Sequence, residues 1–230
     1  MRVGILVFPG SNCDQDLHHA CAGAMGWEAA FVWHSQALPK SLDLVLVPGG
    51  FSHGDYLRCG ALAALAPVMA DVRRFAEGGG LVLGVCNGFQ ILCEAGLLPG
   101  VLRVNRGGRF RCMPARLRTE TLASPFTNRC TRFLTLPIAH KEGNYFADPG
   151  TLERLEENDQ VLFRYVDAEG SPTPAGNPNG ALNNIAGICN AERNVAGLMP
   201  HPERAAEPLL GGADGLGLFR SVAAALGALR

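Results

Sequence analysis

Three short apolar runs, each stopped by small or turn-forming residues, constrain this chain more than anything else in it. Val3-Gly4-Ile5-Leu6-Val7-Phe8 ends at Pro9-Gly10, and Leu44-Val45-Leu46-Val47 ends at Pro48-Gly49-Gly50. Leu81-Val82-Leu83-Gly84-Val85 runs into Cys86-Asn87-Gly88. The runs are continuous rather than alternating. That is the pattern of strands buried on both faces, hence of a parallel sheet with helices on each side. Ligands of such sheets collect beyond the carboxyl ends of the strands, so the loops after Val7, Val47 and Val85 are where chemistry is expected. Ser11, Asn12 or Asp14 is placed to cap a helix running to about Gly26. A second helix is expected from about Gly60 to Glu77, stopped by Gly78-Gly79-Gly80, and a third from Asn87 to Glu94 with Gly96 as its stop. Phe31 to His34 reads as one more short strand.

The second half has a different texture. Arg103 to Leu117, Arg132 to Ile138 and Val161 to Val166 suggest strands of a mixed or antiparallel region. Residues 168–184 are rich in Gly, Pro and Asn and read as a long surface loop. Ile185 to Cys189 and Val195 to Met199 resemble two strands joined by a turn. Asp214 is placed to cap a last helix with Leu218, Val222, Leu226 and Leu229 on one face. The expectation is a single α/β domain over residues 1–230: an open, mostly parallel sheet flanked by helices on both faces, with an added antiparallel region in the second half.

The formal net charge of -1 gives no electrostatic reason to expect nucleic acid or an anionic membrane surface. Arg103, Arg106, Arg109, Arg111, Arg116 and Arg118 do cluster, but only Phe110 is interleaved among them, which suits a solvated strand face or a local anion site. No apolar run approaches a bilayer span, and the opening residues do not form a secretory h-region, so a cytoplasmic protein is expected. The eight cysteines are scattered, with no C-x-x-C pair and no finger-like spacing to histidines. No metal site is expected from them.

Cys86 is the exception among those cysteines. It ends an apolar strand and precedes a helix, so the turn holds its side chain clear of the sheet, and the helix N-terminus favours thiolate over thiol. Gly84 and Gly88 suit the close approach such a turn demands. A thiolate needs a proton carrier, and Met199-Pro200-His201-Pro202-Glu203 offers one beyond another apolar strand. Two prolines hold that segment extended, which sets His201 and Glu203 side by side, the carboxylate fixing the imidazole's tautomer. An oxyanion hole is expected from the N–H of Gly50 or Phe51, on the Pro48-Gly49-Gly50 turn, together with that of Asn87. These residues support attack on a carbonyl; they do not name the substrate.

Gly84-Val85-Cys86-Asn87-Gly88-Phe89-Gln90 resembles the G-x-C-x-G-x-Q nucleophile motif of the class I, triad-type glutamine amidotransferases. Phe8 to Asp14, Pro48 to Ser52, Gly54 to Arg58, Ile138 to His140, Asn177 to Gly180, Asn184 to Ile188 and Met199 to Arg204 are similar to segments of one branch, the glutaminase subunits of phosphoribosylformylglycinamidine synthase. His53 departs from the aromatic Tyr of that family and Lys141 from its usual Gly. The resemblance implies a flavodoxin-like fold and a Cys86–His201–Glu203 triad, and it implies that Gln90 helps hold the substrate glutamine. It implies no metal or organic cofactor for the glutaminase half-reaction. It also implies two partners: a large synthetase subunit that uses the ammonia with ATP and magnesium, and a small bridging subunit. Roles for His140, Arg106 and the His53 loop stay open. So do two alternatives, the glutaminase subunit of another amidotransferase and a related cysteine hydrolase.

Overall fold

The computed structural model describes residues 1–227. The first strand, β1 (Arg2–Val7), leads through a loop into a single helical turn, α1 (Asp14–His18), continued by a wide turn over His19–Ala24. Cys13, not Ser11, Asn12 or Asp14, occupies the capping position, and no side chain caps this helix. The edge strand β2 (Glu28–Trp33) begins three residues earlier than expected and is mostly solvent-facing. β3 (Leu44–Val47) follows as read. The long helix expected to Glu77 is broken into α2 (Ala61–Ala64) and α3 (Val68–Glu77), because Pro67 cannot donate to the preceding turn. β4 (Leu81–Val85) and α4 (Asn87–Glu94) keep their expected bounds, with Gly96 at φ 68° beyond the helix end.

The expected strand from Arg103 to Leu117 is two strands, β5 (Val101–Arg103) and β6 (Arg111–Thr119), separated by the turn through Gly107 and Gly108. β7 (Phe133–His140) and β8 (Asn144–Phe146) precede α5 (Pro149–Glu157), a helix not expected from the sequence. β9 (Val161–Tyr165), the loop to Asn184, β10 (Ile185–Cys189) and β11 (Val195–Leu198) lie where expected. Asp214 does not cap the last helix, α6 (Leu216–Ala225); its carboxylate instead accepts from Thr135 N–H at 2.7 Å. On α6, Leu218 and Val222 are buried while Leu226 is largely exposed; Leu229 lies outside the described residues.

Nine strands form one sheet in the order β2-β1-β3-β4-β11-β10-β9-β6-β7, while β5 and β8 pair separately. The pairings from β2 through β11 are parallel and those from β11 through β7 antiparallel. The antiparallel region is thus an extension of the parallel sheet, entered by reversing direction at β10. Burial follows position in the sheet. The central strands β3, β4, β11, β10 and β9 are buried along their whole length, whereas the edge strand β7 alternates, with Leu134, Leu136, Ile138 and His140 inward. His140 therefore shares the register of the core leucines. Among the described residues no helix is long and apolar enough to cross a membrane.

Candidate active site

β1, β3, β4 and β11 run in the same direction, so the loops after them meet at one edge of the sheet. Cys86 lies on this edge at φ 52°, ψ -107°, a conformation disfavoured for a residue with a Cβ by about 1–3 kcal/mol. Two anchors hold it there. Its N–H donates to Leu198 O at 2.8 Å, and its carbonyl accepts from Phe89 and Gln90 N–H in the first turn of α4. α4 approaches the sheet so closely that a Cβ on Gly88 would fall 1.9 Å from Val47 O. The strain at Cys86 is the consequence of a strand-to-helix junction with no slack.

His201 and Glu203 come together as the sequence implied, by a different backbone. The segment does not stay extended: Pro202–Ala205 forms a 3-10 turn, since Pro202 fits the first position of a helix as well as an extended strand. His201 itself remains extended, its N–H bonded to Pro137 O on β7. His201 Nδ1 and Glu203 Oε1 lie 2.5 Å apart, and both residues are 1% exposed. Burial alone would disfavour a charged imidazole. The Glu203 carboxylate, Cys86 and Cys13 outweigh it and hold the His201 pKa well above its ordinary value. A cavity of about 200 Å³ is lined by Cys86, His201, Cys13, Gly50, Phe51 and neighbouring residues.

The loop after β3 supplies shape and one donor. A Cβ on Gly49 would lie 2.8 Å from His201 Cε1 and 3.1 Å from Cys13 Sγ, so only glycine leaves these side chains room. Gly50 adopts φ 135°. The N–H of Phe51 is already bonded to Gly10 O at 3.0 Å, so Phe51 is not free to serve an oxyanion and Gly50 is left as that loop's donor. Asn87, at the first position of α4, has an N–H without an intrahelical partner. Its side chain accepts from Ser52 N–H at 3.1 Å and donates to Gln90 Oε1 at 2.8 Å.

Gln90 in turn donates to Glu142 O at 2.6 Å, tying α4 to the loop after β7. It lines a second cavity, of about 190 Å³, together with Cys86, Gly50, Phe51, His140 and Glu142. His140 is 3% exposed, with Nδ1 3.2 Å from Asn105 Oδ1. Burial, and then the charge of His201, lower its pKa to about 4, so it is neutral at physiological pH. Arg106 is exposed on the neighbouring turn and lines neither cavity. His53 is turned towards His34, ring centroids 5.6 Å apart, and also lines neither.

Sequence reasoning missed Cys13 and Arg204. Cys13 Sγ accepts from Arg204 Nη2 at 3.1 Å, and burial pushes its thiol pKa up, against the opposing pull of His201. Cys13 Sγ, a His201 nitrogen and a Glu203 oxygen lie within 4.8 Å of one another. This is the grouping of metal-ligand type among the described residues; His201 Nδ1 and Glu203 Oε1 are already paired with each other, while His201 Nε2 and Glu203 Oε2 have no hydrogen-bond partner. Arg204 directly follows the H-P-E segment, a signal that was available. Cys13 offered none beyond lying in a loop expected to carry chemistry.

Residues 1–211 match the family model described as a CobB/CobQ-like glutamine amidotransferase domain. The chain is 55% identical over 223 residues to phosphoribosylformylglycinamidine synthase subunit PurQ of Salinibacter ruber, spanning 96% of this chain and 95% of that one. The subunit of the same name from Rubrobacter xylanophilus is 57% identical over 226 residues, 97% of this chain and 98% of that one. This chain belongs to the PurQ family. The structure of PurLQS from Thermotoga maritima contains a chain that superposes with a TM-score of 0.86 at 41% identity, covering 98% of both. A glutamine amidotransferase from the same organism, at 14% identity and a TM-score of 0.56 over 90% of this chain and 77% of that one, shares the fold. The open sheet flanked by helices is accordingly the class I glutamine amidotransferase fold.

Proposed function

We propose that this chain hydrolyses glutamine to glutamate and ammonia, using Cys86, His201 and Glu203. The ammonia passes to an ATP-dependent synthetase subunit that converts formylglycinamide ribonucleotide into formylglycinamidine ribonucleotide in purine synthesis. The observation that carries the catalytic assignment is the convergence at one sheet edge of a strained Cys86 and a buried His201–Glu203 pair. The PurQ relatives, and PurLQS as the setting of the structurally similar chain, support the synthetase and the small bridging subunit as its partners.

The mechanism uses the chain's own groups. The Cys86 sulfur attacks the δ-amide carbon, and the carbonyl electrons move to an oxygen facing Gly50 and Asn87 N–H. Loss of one such donor raises the barrier by about 3 kcal/mol. His201, held charged by Glu203, gives its proton to the departing nitrogen, and ammonia leaves a glutamyl thioester. Neutral His201 then takes a proton from water, whose oxygen displaces the Cys86 sulfur and releases glutamate. Gln90 braces the cavity wall through Asn87 and Glu142 as well as facing the substrate. The half-reaction consists of acyl and proton transfers that these residues supply, so it calls for no metal or organic cofactor of its own. ATP and magnesium belong to the synthetase.

Glutamine turnover, measured for the chain alone and then with both partners, ATP, magnesium and the nucleotide, tests the reading. Activity should rise strongly on assembly and vanish in Cys86→Ala. A diazoketone analogue of glutamine should label Cys86, with free glutamine protecting it. An assembled complex that is inert to glutamine and unlabelled would sink the proposal.

A further inference from the structure

Cys13 and Arg204 line the cavity that holds Cys86 and His201, and the triad chemistry uses neither. The Cys13 sulfur is fixed from two sides. Its thiol donates to Asn12 Oδ1 at 3.2 Å, and the sulfur accepts from Arg204 Nη2 at 3.1 Å. Arg204 is itself tied to α1, its Nε donating to Asp16 Oδ2 at 3.1 Å. The backbone of Cys13 is held as well. Its N–H donates to Gly49 O at 3.3 Å, and its carbonyl accepts from Leu17 N–H at 3.0 Å. Cys13 is buried, so its sulfur forms a fixed wall of the cavity.

That wall stands against the imidazole. Cys13 Sγ lies within 4.8 Å of a His201 nitrogen. A Cβ on Gly49 would meet Cys13 Sγ, His201 Cε1 and Cys86 Cβ together, so the three side chains surround one point. Glu203 holds His201 at Nδ1. Nε2, the nitrogen that faces the chemistry, has no hydrogen-bond partner among the described residues. The χ2 torsion of a histidine is broad, so one bond at Nδ1 leaves the ring to be steadied by packing on another side. A polarizable sulfur suits that task. Burial pushes the Cys13 thiol pKa up, against the opposing contact with His201, so the sulfur stays protonated and does not compete for the imidazole's proton. Cys13 is also not acylated, and it keeps its place while Cys86 is a thioester.

We infer that Cys13 and Arg204 are positioning residues that act as one unit: Arg204 fixes the Cys13 sulfur, and the sulfur keeps the His201 ring turned with Nε2 toward Cys86 through acylation and deacylation. The inference rests on the glutaminase reading and adds two residues to it.

The test is a double-mutant cycle on glutamine turnover in the complex assembled with both partners, ATP, magnesium and nucleotide. Cys13→Ala and Arg204→Gln should each lower kcat by about tenfold or more and leave KM within about threefold of wild type. The double variant should lose about as much as Cys13→Ala alone, because groups that act as a unit are non-additive. Cys13→Ser keeps an acceptor for Arg204 and should recover most of the loss. Arg204 is partly exposed, so its variant tests the unit even where Cys13→Ala folds poorly; a far-UV melt of each variant shows which case holds. A second readout needs no substrate. Alkylation of Cys86 by iodoacetamide, resolved from the other cysteines by peptide mass spectrometry, reports whether the charged imidazole still faces the sulfur. Its rate at pH 7 should fall by about fivefold or more in both single variants, an effect that a merely structural role would not produce. Losses that add in the double variant, or kcat and alkylation rates within about twofold of wild type, would overturn the unit. A wild-type complex inert to glutamine would sink the glutaminase reading instead, and the alkylation rates would still decide whether Cys13 and Arg204 hold the ring.

Discussion

At the scale of single residues the site is governed by the lack of room around Gly49. A methyl group there would press on His201 Cε1 at 2.8 Å, Cys13 Sγ at 3.1 Å and Cys86 Cβ at 3.4 Å. Gly49→Ala should therefore displace the imidazole from the sulfur and lower glutaminase kcat by about a hundredfold, the scale set by a 1 Å misplacement of a catalytic group. Glutamine turnover in the assembled complex, beside a far-UV melt of the variant, checks this; unchanged turnover would show that the triad has slack. The meeting of Cys86 with the His201–Glu203 pair was legible because each lies in a short pattern beyond an apolar strand, a strand-to-helix junction and a proline-flanked pair, although the second takes a 3-10 turn rather than an extended path. Phe51 was misjudged because what occupies its N–H is Gly10 O, contributed by a different loop. Cys13 gave no local signal, since it is buried against His201 and Arg204, groups remote in sequence.

At the scale of elements, legibility followed the strength of local punctuation. β4 and α4 keep their expected bounds because an all-apolar strand and a glycine stop leave little choice. α5 went unread because its start is one capping group, Asp148, followed by Pro149 and a mixed polar turn. The Asp148 carboxylate accepts from Thr151 N–H at 3.0 Å and from Thr151 Oγ1 at 2.6 Å. Those bonds, the side-chain one foremost, lower its pKa below the usual carboxylate range. A group depressed in the folded state contributes stability that is complete above its unfolded pKa of about 3.9 and is lost as pH falls through the folded value. Asp148→Ala should thus lower the melting temperature at pH 7, and the gap from wild type should shrink steadily below about pH 4. A gap that is constant with pH would mean that the charged cap is not what fixes α5.

At the scale of the whole molecule, the two ends of the parallel strands carry different duties. The parallel half was readable from its continuous apolar runs. The joining of the antiparallel strands to the same sheet was not, because reversal at β10 depends on which edge is free after β11 has paired with β4. That reversal also returns β7 to the catalytic edge, where Pro137 holds His201 and His140 faces the cavity. The opposite edge is tied by Asn194, whose amide donates to Ala76 O at 2.7 Å and Gly80 O at 3.1 Å, joining the end of α3 to the start of β11. Asn194 is buried, so its removal takes a donor from Gly80 O, while Ala76 O keeps its bond from Gly79 N–H, and should cost about 1–3 kcal/mol. In a chain of this size that is a melting temperature lower by roughly 2–10 °C. Cys86, the proposed nucleophile, lies beyond the far end of β4, so kcat/KM for glutamine in the Asn194→Ala complex should stay within about twofold of wild type at temperatures well below the melt. Gly49→Ala should show the reverse, a deep loss of turnover with a small change in melting. If the two variants gave the same profile, stability and catalysis would be coupled through the sheet rather than divided between its ends.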